Sequence, residues 1–161
     1  MKPETADYLA KARTTLADAQ QIATLPLPHV AAREAYYAAF NAAEAYIFEH
    51  TGKVATTHRG VRSEFARLAR REPSIDRELT RFLATAYQLK ATADYGIGPT
   101  AAPITADQAA AAIATAGRFI ECIARSWHSR PSTSCFRPAW SNSAPGVPST
   151  SIRPAANPGI C

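Results

Sequence analysis

His58 and Arg59, in "TTHRGVR" (56–62), are the residues of this chain best suited by type to chemistry. Metal-independent cleavage of RNA needs a base near the 2′-hydroxyl, an acid for the leaving oxygen and positive charge on the phosphate. An imidazole exchanges protons near neutral pH, and Arg59 and Arg62 supply the charge beside it. The structural alternative is that His58 caps or packs the start of a helix. A second constellation lies in "AREAYYAAFNAAEAY" (32–46), where Arg33, Tyr37 and Glu44 share one helical face at i, i+4 and i+11. An arginine held by a carboxylate and a phenol can clamp a phosphate, or the three can form a polar network that sets helix register. Asp94 and Tyr95, before Gly96, make the third. Asp94 can accept a hydrogen bond from Arg33 or His58 if the helices converge, and Tyr95 offers a hydroxyl near a helix end. Alternatively Gly96 terminates the helix and Tyr95 covers the end of the core.

Other chemistries have little support. There is no Gly-rich phosphate loop followed by lysine, no paired CxxC and no HExxH, so no metal and no cofactor are expected. Cys122, Cys135 and Cys161 are odd in number and fit neither a disulfide framework nor a zinc site, so they read as reduced thiols.

Charge is unevenly placed. The net charge is +5; residues 1–127 hold 15 Lys+Arg and all 13 acids, and residues 128–161 hold three arginines and no acid. Within 53–71, Lys53, Arg59, Arg62, Arg67, Arg70 and Arg71 face Glu64 alone, a local charge of +5. Such a run attracts phosphates or an acidic partner, or is a solvated basic face.

The elements that must position these residues are helical. Leu9, Ala12, Leu16, Ala19 and Ala23 recur at helical spacing in a first helix over 4–24, which "LPLPH" breaks. A second helix, about 28–51, carries Tyr36, Phe40, Ala43 and Ile47 as a core stripe, and Arg33, Tyr37, Asn41, Glu44 and Phe48 on a neighbouring stripe. Ala35, Ala38, Ala42 and Ala45 form a small-residue side that admits another helix closely, in this chain or in a second copy. A third helix is expected over 58–71, capped by Thr56 or Thr57, and a fourth over 75–93, begun by Ser74 or Asp76. A fifth runs over 106–127, with Thr105 and Gln108 as a capping box. No segment alternates like a strand for long enough. The fold class is therefore all-α, an antiparallel up-and-down bundle of four to five helices.

Two regions follow: a helical bundle over 1–127 and a Pro/Ser-rich tail over 128–161. The tail holds six of the twelve prolines and no acid, and cannot bury enough apolar surface to offset chain entropy. Disorder is expected there; a shifted-frame terminus and a short arm for an anionic partner are its other readings. With no apolar stretch long enough to span a bilayer and no secretory signal, no membrane association and a cytoplasmic location are expected.

Three signatures, "AREAYYAAFNAAEAYI" (32–47), "TTHRGVRSEF" (56–65) and "LATAYQLKATADYG" (83–96), occur in order. Together they resemble a bacterial and archaeal subfamily of HEPN-domain proteins, over about residues 5–125. The resemblance implies a four- or five-helix bundle that often dimerises, and a place beside a small nucleotidyltransferase (MNT) in toxin–antitoxin-like or defence-associated pairs. Many such proteins cleave RNA with an arginine, four to six residues, then a histidine on a late helix. This chain departs from that pattern. Its histidines are 29, 50, 58 and 128, and none follows an arginine at that interval. Two readings remain open: an RNA-binding member of such a pair, and a helical adaptor without nuclease activity.

Overall fold

Local chemistry sets several of the helix ends among the described residues, and those ends place the candidate residues. The computed structural model describes residues 1–95 and 103–127. They form α1 (Pro3–Ile22), α2 (Pro28–Thr51), α3 (His58–Ala69), α4 (Arg77–Tyr95) and α5 (Ala106–Ser126), with no strand among the described residues. The fold is an all-α helical bundle. The expected tail over 128–161 and Gly96 as a terminator lie outside the described residues.

α2 ends at Gly52, whose φ of 70° is the left-handed cap that glycine adopts at least cost. Thr57 caps α3 by accepting a hydrogen bond from Gly60 N at 3.0 Å, and Thr105 and Gln108 form the full capping box of α5. Asp76, rather than Ser74, starts α4: its Oδ1 accepts from Glu78 N at 2.9 Å. That cap explains why α4 begins at Arg77 and not at 75. α3 closes at Ala69, two residues earlier than its pattern suggests, because Arg71 and Glu72 turn back onto the carbonyls of Leu68 and Ala69. α1 stops at Ile22, so Ala23 is exposed and not part of the core stripe.

α2 is the centre of the bundle: among the described residues it alone packs against all four other helices. Its sequence explains this, because it carries apolar or small residues on nearly every side, the mark of a helix surrounded by protein. Ala35, Ala38, Ala42 and Ala45 are all fully buried. The small-residue side therefore serves contacts within the chain, and a second copy cannot reach it. α1 runs antiparallel to α2. Lys2 and Thr5 meet Glu49, Tyr8 stacks on Phe48, and Thr15 meets Asn41, so the pairing descends one helix as it climbs the other.

Candidate functional site

α2, α3 and α4 converge on His58. As the first residue of α3 it stands at a fixed place, because the preceding loop packs tightly under the helix. A Cβ on Gly60 would lie 2.8 Å from the Ala55 Cβ and 3.0 Å from the Thr57 hydroxyl that caps the helix. Around the imidazole lie Phe40, Tyr36, Tyr87 and Tyr37, with ring centroids 4.8, 5.6, 5.9 and 6.0 Å away. His58 Nδ1 is 2.8 Å from the hydroxyl of Tyr36.

Tyr36 is fully buried. Burial pushes its phenol well above the usual range, against the opposing charge of Arg62, so its O–H is retained. His58 is shifted the other way. Burial lowers its proton affinity, the cations Lys90 and Arg62 lower it further, and Asp94 only partly opposes them. The imidazole is neutral at physiological pH. When Tyr36 donates to Nδ1, the other ring nitrogen carries the proton and acts as a donor rather than a base.

Arg33, Arg62, Lys90 and Asp94, the charged groups gathered around this pair, already have partners. Asp94 binds Lys90 Nζ at 2.6 Å and faces Arg33 Nη1 at 3.8 Å. Arg33 also meets Glu34 at 3.3 Å. The hydrogen bond that Lys90 donates to Asp94 holds its ammonium above the usual range. Arg62 lies over the Tyr87 ring, 3.9 Å from its centroid, and Nε donates to the His58 carbonyl at 3.4 Å. A guanidinium so placed contributes about 0.5–2 kcal/mol.

The other candidate residues divide. Asp94 and Arg33 come together as an ion pair, and Asp94 lies near enough to His58 to affect its charge. Arg59 is exposed, and so is Tyr95, 5.4 Å from Lys90 Nζ. The expected Arg33–Tyr37–Glu44 network does not form. Glu44 shares their face but lies two to three turns along α2, about 16 Å from Arg33 at 1.5 Å per residue. It looks toward α1, where burial raises its pKa and Lys11 opposes the rise. Tyr37 meets His58 and Tyr36 instead.

Tyr36 was expected only in the core; it is buried there, yet its hydroxyl reaches the histidine. Tyr87 and Lys90 join the cluster without being among the residues that type and spacing mark as candidates. A signal existed for Lys90, which stands four residues before Asp94 on one helix. No equivalent signal marks Tyr87, whose contact with Arg62 spans two helices. Among the described residues no group of three or more His, Cys, Asp or Glu could hold a metal ion. No helix among them is long and apolar enough to cross a membrane.

The family model of the HEPN domain matches residues 5–127. The chain belongs to the HEPN-domain family. No curated protein matches it. The matched span begins two residues into α1 and takes in α2 to α5 whole, so the His58 cluster lies inside the HEPN domain and not in an appended segment. Within that span the HEPN domain of this chain has no arginine followed, after four to six intervening residues, by a histidine.

Proposed function

We propose that this HEPN domain is a binding component, a helical adaptor that works beside a small nucleotidyltransferase (MNT) in a toxin–antitoxin-like or defence-associated pair and does not cleave RNA through His58. The observation that carries this reading is the closed charge cluster. Arg33 and Lys90 share Asp94, Arg62 lies on Tyr87, and His58 is tied to Tyr36. A nuclease site needs a cation waiting for the scissile phosphate. Here Arg33, Lys90 and Arg62, the cations that α2, α3 and α4 bring around the imidazole, are already engaged, Arg59 is turned out to solvent, and the arginine–histidine spacing of nuclease relatives is missing.

The basic segment beside His58 favours a second reading, in which the protein is the RNA-cleaving half of the pair and acts as a homodimer. One experiment separates the two. Purified full-length protein and His58→Ala are incubated with labelled RNA in chelator, and growth is followed on induction of each. The adaptor reading expects no cleavage and equal growth, with a stable complex on gel filtration with the nucleotidyltransferase encoded alongside. Cleavage by the wild type that His58→Ala abolishes would overturn it.

A further inference from the structure

We propose that the open groove at the α3–α4 turn docks a phosphodiester backbone, through Arg70, Arg77 and Arg81. This assignment is independent of what His58 does, since the groove lies at the far end of α3, about 16 Å from His58 at 1.5 Å per residue.

All three arginines line the groove and are exposed. Arg70 caps the end of α3; Arg77 and Arg81 sit one turn apart on α4, on one ridge. None makes an ion pair or side-chain hydrogen bond with a described residue, whereas Arg13, Arg33, Arg67 and Arg118 each hold a carboxylate. Two acids also line the groove, and both are used locally. Glu72 Oε1 accepts from Ser74 Oγ at 2.8 Å, and Asp76 Oδ1 accepts from Glu78 N at 2.9 Å. The structure thus regroups the basic run seen in the sequence. Arg62 and Arg67 are consumed inside it, while Arg70 joins two arginines from the next helix.

The chemistry favours a phosphodiester over an acidic protein. Guanidinium forks match phosphate oxygens in two-point hydrogen bonds. Protein interfaces are dominated by a few desolvated anchors, mostly Trp, Tyr and Arg seated in well-packed pockets; the groove is open, its arginines are exposed, and it offers no large apolar or aromatic side chain on its surface. Its apolar residues are Ala69, Pro73 and Ile75, of which Ala69 and Ile75 are buried. The exposed large hydrophobics among the described residues, Met1, Leu25, Leu27 and Tyr95, lie elsewhere. With no aromatic platform for bases, the groove would read backbone charge and not sequence.

The test is fluorescence anisotropy of the full chain with a short labelled RNA, single-stranded and duplex, and with DNA of the same sequence, over a salt series. The variant Arg70→Gln/Arg77→Gln/Arg81→Gln is compared with Arg13→Gln/Lys53→Gln/Arg118→Gln, which has the same net charge and the same tail. The groove variant should lose about 2 from the slope of log K against log salt on single strands, at about 0.7 per phosphate, while the control keeps the wild-type slope. The proposal would be overturned by no binding by the wild type, equal losses in both variants, or displacement of the oligonucleotide by polyglutamate at equal charge. Wild-type binding that the groove variant leaves unchanged would also remove the groove, without touching the adaptor reading.

Discussion

The hydroxyl of Tyr36 and Nδ1 of His58, 2.8 Å apart, join the centre of α2 to the first residue of α3. Tyr36 is fully buried, so the bond is made in a shielded setting where a lost partner is not replaced by water. Tyr36→Phe keeps the ring and removes only the bond. It should cost about 1–3 kcal/mol of stability, measured by urea unfolding, with a displaced His58 ring resonance. A neutral result would mean that ring packing alone holds the histidine.

His58 also predicts how stability responds to acid. Its folded proton affinity is lowered from a value of 6.5. As pH falls below that value the unfolded chain takes up a proton that the folded chain resists. The contribution of His58 is therefore present above pH 6.5 and lost as pH falls toward the folded value. Between neutral pH and pH 5 the wild type should lose more stability than His58→Gln. Parallel curves for the two proteins would remove the effect.

Glu44 has the opposite sign. Its folded pKa is raised by burial, with Lys11 opposing, so its ionised form is disfavoured in the folded state and costs stability above the ordinary carboxylate range. Glu44→Gln should raise the urea midpoint at pH 7, and the gain should vanish in acid where the carboxyl is protonated. A loss at pH 7 would show that the attraction to Lys11 outweighs burial.

Asp94 balances two cations, and the Lys90 side chain is only 9% exposed. Asp94→Asn leaves that ammonium without its charged partner and should cost about 1–3 kcal/mol, in the range of hydrogen bonds to charged groups. Pairing it with Lys90→Met should recover part of the loss, since the stranded charge is then gone. Additive losses in the double variant would argue that the two residues act separately.

Gly60 gives a prediction against helix propensity. Glycine to alanine inside a helix ordinarily gains about 1 kcal/mol. Here the added methyl would stand 2.8 Å from the Ala55 Cβ, an atom fixed to the backbone, and 3.0 Å from the capping hydroxyl. Gly60→Ala should therefore lower the melting temperature and disturb the His58 ring signals. A rise would show that the 53–57 loop yields easily.

Much of the architecture was legible because it depends on neighbours along the chain. Apolar spacing of three and four, prolines, a glycine and capping hydroxyls act over one or two turns. The helices of the described residues and the cap at Thr105 can thus be read from residue order, while the cap of α3 is narrowed to Thr56 or Thr57 and the structure selects Thr57. Other features depend on which helices meet, and at what height. Arg33 and Glu44 share a face, yet the length of α2 carries one to α4 and the other to α1. Tyr36 looked like core because a tyrosine at a core position gives no sign of what its hydroxyl will meet. The basic run over 53–71 looked continuous in one dimension. Folding turned Arg62 onto Tyr87, paired Arg67 with Glu64, and set Arg70 beside Arg77 and Arg81 across the turn. Local periodicity specifies the helices, whereas long-range packing chooses the partner of each polar atom, and that choice tied Arg33, Arg62 and Lys90 into the cluster at His58 and left the arginines of the α3–α4 turn without an ion pair among the described residues.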